Sequence, residues 1–200
     1  NRNYKIAAWA DIVEKEGAVL ANGEKADRYY DTQKGLDAVE IIEKGEIQWN
    51  AMDETRDAYT GFQTIIGFQS ASDIEEMELT RPFAKVRVVA TDIEDVRKFG
   101  IEPTAAVAAY TASEMYTEFD AVAGTVKGET TGKTHTFNYA DVDTYENTNS
   151  EQFTVFADYV FVPTDGNVQF SLSIYADEQR NDLIKTNNFN TTIPVAANKV

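Results

Sequence analysis

Residues Phe153 to Val162 read Phe-Thr-Val-Phe-Ala-Asp-Tyr-Val-Phe-Val, a strand with apolar side chains in both phases of its alternation. Successive side chains of a strand point to opposite faces. A segment apolar in both phases therefore needs packing above and below, and belongs at the centre of a fold. Pro163-Thr164-Asp165-Gly166-Asn167 follows, and Asp-Gly between apolar runs is a hairpin signal. Beyond it Phe170, Leu172 and Ile174 alternate with Gln169, Ser171 and Ser173, a strand with one wet face. The pattern predicts an aromatic hairpin from Phe153 to Tyr175.

A second strand is equally legible. Pro82 closes one unit; after it Ala84, Val86, Val88 and Ala90 share one phase, while Lys85, Arg87 and Val89 share the other. Asp92 to Gly100 has an N-cap aspartate, acids in the first turn, bases in the last and a terminal glycine, which predicts a short helix. Further strands are expected at Tyr4–Ala10, Leu36–Ile42, Phe62–Phe68, Ala105–Thr111 and Phe189–Ile193. A second hairpin is expected to join Ala121–Lys127 to Thr134–Tyr139 across Gly128–Lys133. Turns at this spacing predict an all-β chain of Greek-key sandwich type with one short helix. The acidic stretch around Asp73–Met77 divides it into an N-terminal β subdomain, 1–76, with its leading strand missing, and a C-terminal β-sandwich domain, 77–200. Aromatic-Ala-Asp recurs at Trp9, Tyr139, Phe156 and Tyr175, a strand-ending habit rather than a repeat.

Composition narrows the function. A hydrophobic content of 42% supports a packed core, while a net charge of −16 leaves no basic stripe for phosphates or anionic membranes. No nucleic-acid partner is expected. Cysteine is absent, which removes thiol nucleophiles, zinc ribbons and disulfide scaffolds. No apolar run reaches the ~18 residues of a membrane span.

The motifs that suggest chemistry are weak. Gly128-Glu129-Thr130-Thr131-Gly132-Lys133-Thr134 approaches a phosphate-binding loop, but three residues separate its glycines where the loop needs about four. The residues after it read as strand rather than helix. Asp141-Val142-Asp143-Thr144-Tyr145-Glu146 offers hard oxygens without the glycine and glutamate of a calcium loop. His135 is the sole histidine and lies in a threonine-rich strand expected to be exposed. No Gly-x-Ser-x-Gly elbow occurs. The expectation is a non-enzymatic protein with no catalytic residue, metal or cofactor. Trp49, Tyr29 and Tyr30 are candidate ligand-stacking aromatics.

Arg56-Asp57-Ala58-Tyr59 and Leu79-Thr80-Arg81-Pro82-Phe83-Ala84-Lys85-Val86 resemble segments of the fimbrillin-like cell-surface proteins of Bacteroidales, the major and minor (Mfa-like) fimbrial subunits. Tyr4–Asp11 and Ile193–Lys199 extend the likeness. It implies two transthyretin-like β-sandwich domains and export as a lipoprotein to the outer membrane. It also implies assembly with like subunits by adding a strand to an open sheet edge. Partners would be other fimbrial subunits or the chain itself, with a host or bacterial surface receptor or glycan. The membrane would be reached only through an N-terminal lipid anchor that this chain does not carry. The alternative is a non-polymerising glycan- or protein-binding surface lipoprotein. Arg81, fixed before Pro82, is expected to pair with Asp57 and act as a structural hinge between the two units.

Overall fold

The computed structural model describes residues 2–12, 29–42, 54–68, 76–110, 115–130, 132–139, 153–189 and 192–197. The described residues are 58% strand and 6% helix, an all-β architecture of several antiparallel sheets in a sandwich-type fold. The strands are β1 (Arg2–Asp11), β2 (Tyr30–Asp31), β3 (Val39–Ile41), β4 (Ala58–Phe68), β5 (Phe83–Ala90), β6 (Ala105–Tyr110) and β7 (Met115–Asp120). They continue as β8 (Thr125–Thr130), β9 (Lys133–Asn138), β10 (Phe153–Phe161), β11 (Asn167–Val168), β12 (Ser171–Tyr175), β13 (Leu183–Asn188) and β14 (Ile193–Pro194). A 3-10 turn covers Glu54–Arg56, and the predicted helix is α1 (Ile93–Arg97).

Among the described residues two sheets have four strands, ordered β13-β12-β6-β9 and β2-β3-β7-β8; β1–β4, β10–β5 and β11–β14 form pairs. Every pairing is antiparallel. β10 is buried at all of its positions, as its doubly apolar sequence requires. Register in β5–β10 sets Phe83 opposite Phe161, Ala84 opposite Val160 and Val86 opposite Asp158. Alternation then sorts the side chains. Phe83, Tyr159 and Phe161 join one apolar cluster with Tyr29, Tyr30, Val39, Ala58 and Phe119. Ala84, Val86 and Val160 join the other with Ala106, Ala108, Tyr110, Phe156, Phe170 and Leu172. A single strand pair thus feeds both cores. The first of these clusters takes residues from both sides of position 76, so the division expected at 76/77 does not separate two cores.

Two expected hairpins are corrected. Gly166 turns the chain after β10, with its N–H donating to the Pro163 carbonyl at 2.9 Å. Yet β10 pairs with β5, and β12 pairs with β6 and β13. Turn chemistry reverses the chain, but Phe170 and Leu172 then pack in the β10 core, Phe170 with its ring 5.6 Å from Phe156, rather than extend the β10 edge. Likewise β8 pairs with β7 and β9 with β6, so the strands flanking Gly128–Lys133 belong to different sheets. The expected Ala121 start of that hairpin is instead the tight turn linking β7 to β8. Asp92 does precede α1, although its side chain makes no capping bond.

Candidate functional site

The segments Arg56–Tyr59 and Thr80–Val86 meet in space. Thr60 and Thr80 exchange backbone hydrogen bonds of 2.8 and 2.9 Å, which brings Arg81 over the start of β4. Arg81 Nε donates to both Asp57 oxygens, at 2.7 and 2.9 Å, and Nη2 donates to Asp57 Oδ2 at 2.6 Å. The guanidinium also lies 4.8 Å from the centre of the Tyr59 ring, and that hydroxyl donates to Asp57 at 2.9 Å. The fork matches a carboxylate in a way that a lysine cannot. Pro82 and Phe83 are buried behind it.

Behind this clamp lies a charged core. Arg56 is fully buried, with Nη1 4.0 Å from Asp158 Oδ1, and the Tyr30 hydroxyl donates to its backbone carbonyl at 2.5 Å. Asp158 is also fully buried. It accepts from His135 Nδ1, from the Tyr110 hydroxyl at 3.1 Å and from the Tyr159 N–H at 2.9 Å. Burial works to raise the Asp158 pKa, but His135, Arg56 and Tyr110 outweigh it and hold the carboxyl below its ordinary value. Burial pushes the Tyr110 and Tyr30 hydroxyls well above theirs. His135 is only 7% exposed, which corrects the expectation of an exposed strand. It stands opposite Ala108, with its ring edge-on to Tyr110 at 5.3 Å, because this phase of β9 faces the core. The hollow beside His135 measures about 10 Å³, too small for a substrate.

Besides a polar hollow of about 570 Å³ between residues 31–42 and 117–133, two open and mainly apolar concavities lie among the described residues. One, of about 330 Å³, lies between α1, β5 and β10 on one side and β12 and β13 on the other. Its apolar lining includes Val88, Ile93, Val96, Val155, Leu172 and Ile184. Two of its lining strands, β5 and β13, each pair with a single strand among the described residues. The other, of about 530 Å³, runs beside Thr60, Gly61 and Phe62 toward Val126 and Val162.

A family model described as a family of unknown function, DUF6562, matches residues 1–200. The chain belongs to this family. No curated protein and no solved structure matches it.

Among the aromatics expected to stack ligands, this DUF6562 chain buries Tyr29 to 5% and Tyr30 to 0% exposure. Both lie in the cluster around Phe83, where Trp9 meets Tyr30 edge-on at 5.4 Å, so neither ring face is open to a ligand. Trp49 and Asp141–Glu146 lie outside the described residues. The near-phosphate loop runs from β8 into β9, strand to strand. Sequence reading missed Arg56 and Asp158. Only the presence of ionisable residues in otherwise apolar surroundings, Asp158 within Phe153–Phe161 above all, signalled them.

Proposed function

We propose that this DUF6562 chain is a non-enzymatic structural or adhesion protein of the cell surface. It acts as a fimbrial subunit or fimbrillin-like adhesin and assembles by β-strand addition. The observation that supports this most is the apolar cleft between β5 and β13. The cleft is lined by two strands that lie at sheet edges among the described residues, β5 and β13, and by the apolar side chains of Val155, Leu172 and Ile184. Those are the two requirements for docking an extended segment. The fold class and the sequence likeness around Arg56–Tyr59 and Leu79–Val86 support the same reading. Partners are other subunits, supplied as extended segments, and export proceeds through a lipoprotein precursor to the outer membrane.

The test uses the native full-length protein on the cell surface. Strand-exchanged subunits run on a denaturing gel as a ladder of multimers that collapses on boiling. Ile184→Glu, which sets a charge in the cleft, abolishes the ladder without loss of folded protein. A monomer band with or without boiling overturns the proposal.

A further inference from the structure

With 34 acidic residues against 18 basic ones, a cation of this chain should find a carboxylate. Lys34, Arg81, Lys98 and Lys127 each pair with one, Arg97 pairs with two, and Arg56 faces Asp158 in the core. Lys185 departs from this: among the described residues no hydrogen bond, ion pair or ring contact engages its ammonium. Lys5 shares that state, but it lines none of the concavities described above.

Lys185 lines the 330 Å³ cleft. It stands on β13 opposite Ile174, and Asn187 stands opposite Leu172, in the phase of β12 that packs into the core. Its neighbours in the lining include Val88, Ile93, Val155, Leu172 and Ile184, all apolar. Asp92, just before α1, is the only other charged residue there, and no ion pair joins the two. From Leu183 to Asn188, β13 carries no charge besides Lys185.

The backbone of β13 is half used. The Phe189 N–H donates to the Phe170 carbonyl at 3.2 Å, so by alternation Asn187 and Lys185 also direct their groups at β12. Thr186 and Asn188 then direct theirs away from it, on a side where no strand pairs among the described residues. A strand laid along that side would bond to Thr186 and Asn188. Its residues opposite Lys185 and Asn187 would share their face and turn into the cleft.

We propose that the cleft selects an extended peptide segment with an acidic residue opposite Lys185 and apolar residues at the alternate positions on either side. This rests on the docking of an extended segment proposed above and supplies its specificity. Charge selects the first feature: Lys185 is the one cation of the cleft, it has no counter-charge, and opposite charges set across a strand pair are favourable. The apolar lining selects the second, because only apolar flanking residues gain by burial against it. A lysine on a sheet edge is also a common guard against unwanted pairing. Against copies of a chain with a net charge of −16, a cation attracts and so guards poorly. The two roles predict opposite effects of removing it.

The experiment uses the purified chain and dye-labelled synthetic peptides of alternating valine and threonine. One has glutamate in place of the central valine, one has lysine there, and one keeps the valine. Fluorescence anisotropy should show the glutamate peptide binding about tenfold more tightly than the lysine peptide, with the valine peptide between. Added salt should narrow the spread. Amide exchange at Thr186 and Asn188 should slow in the complex. Lys185→Glu should reverse the order, Lys185→Arg should keep it, and Lys5→Glu should leave it as in the parent. Lys185 is exposed, so circular dichroism and melting of its variants stay unchanged. No binding, equal affinities, an order unmoved by Lys185→Glu, or unchanged exchange at Thr186 and Asn188 overturns the proposal. Tighter binding of every peptide to Lys185→Thr, the mark of a guard, overturns it too. The cell-surface ladder answers separately. A ladder indifferent to Lys185→Glu removes this selectivity and leaves strand exchange standing. Lys185-dependent peptide binding without any ladder upholds the selectivity and removes the assembly.

Discussion

Arg56 and Asp57 are neighbours in the chain and serve opposite sides of it. Arg56 turns inward to Asp158 in the core, and Asp57 turns outward to take the fork of Arg81. The backbone between them leaves a 3-10 turn and enters β4. One short segment therefore anchors β4 to β10 from within and to the Thr80–Pro82 segment from the rim. Its two anchors differ in burial, and burial decides what each contributes.

Removing the outer anchor costs little. The Arg81 side chain is 37% exposed, so solvent screens the pair despite its bidentate geometry. Arg81→Ala is expected to destabilise by about 1 kcal/mol or less, a fall in melting temperature of roughly 2–4 °C for a domain of this size. Added salt narrows the gap between variant and parent. Calorimetry with and without salt checks both; an unchanged melting temperature rules out a hinge role for the pair.

Removing the inner anchor is severe. Asp158→Ala strands the Arg56 guanidinium in the core without its counter-charge, and breaking one side of a buried ion pair costs about 3–5 kcal/mol. Replacing both charges, as Arg56→Met with Asp158→Leu, is expected to recover only the part of that loss that comes from Arg56, because His135, Tyr110 and the Tyr159 N–H still lose their acceptor. Urea unfolding of the two variants beside the parent decides it. A single variant as stable as the parent sinks the idea.

The same carboxylate sets an acid limit. The folded-state pKa of Asp158 is depressed. Its stabilisation is therefore complete above the unfolded value, near 3.8, and is lost as pH falls through the lower folded value. Unfolding free energy of the parent should drop on acidification below that unfolded value, and that of Asp158→Asn should drop less. Urea titrations across the acid range measure the two slopes, and equal slopes overturn the assignment.

Gly61 is required by contact rather than by backbone angle. A Cβ there would lie 2.6 Å from Leu79 Cδ2, 2.8 Å from the Glu78 carbonyl oxygen and 3.0 Å from Met77 Sδ. The leucine tip can move, but the carbonyl belongs to the backbone that places Thr80 on Thr60. Gly61→Ala is expected to cost about 1–3 kcal/mol by overpacking and to speed amide exchange at Thr60 and Thr80. Slow exchange at both in the variant is the contrary result.

What could be read in advance was what local chemistry decides. β5 announces itself by strict alternation, β10 by apolar residues in both phases, and α1 by its charge order. What escaped depends on partners remote in sequence. β13 reads Leu-Ile-Lys-Thr-Asn-Asn, too polar to signal a strand, and is one only because it hydrogen-bonds to β12. Asp165-Gly166 specified a reversal but not the neighbour of the returning strand. His135 looked solvent-facing among its threonines because nothing in its own segment reveals Asp158 and Tyr110. The Aromatic-Ala-Asp echo misled in the same way. It ends β1 at Asp11 but places Asp158 inside β10, where the surrounding charges make an aspartate tolerable.

The sharing of β5–β10 by both apolar clusters bears on how the molecule yields under load. With Phe83 and Phe161 stacked 4.5 Å apart on one side and Ala84 and Val160 committed to the other, peeling that pair open empties both halves at once. Under a pulling force both clusters are therefore expected to fail together, read in single-molecule extension as one rupture rather than two.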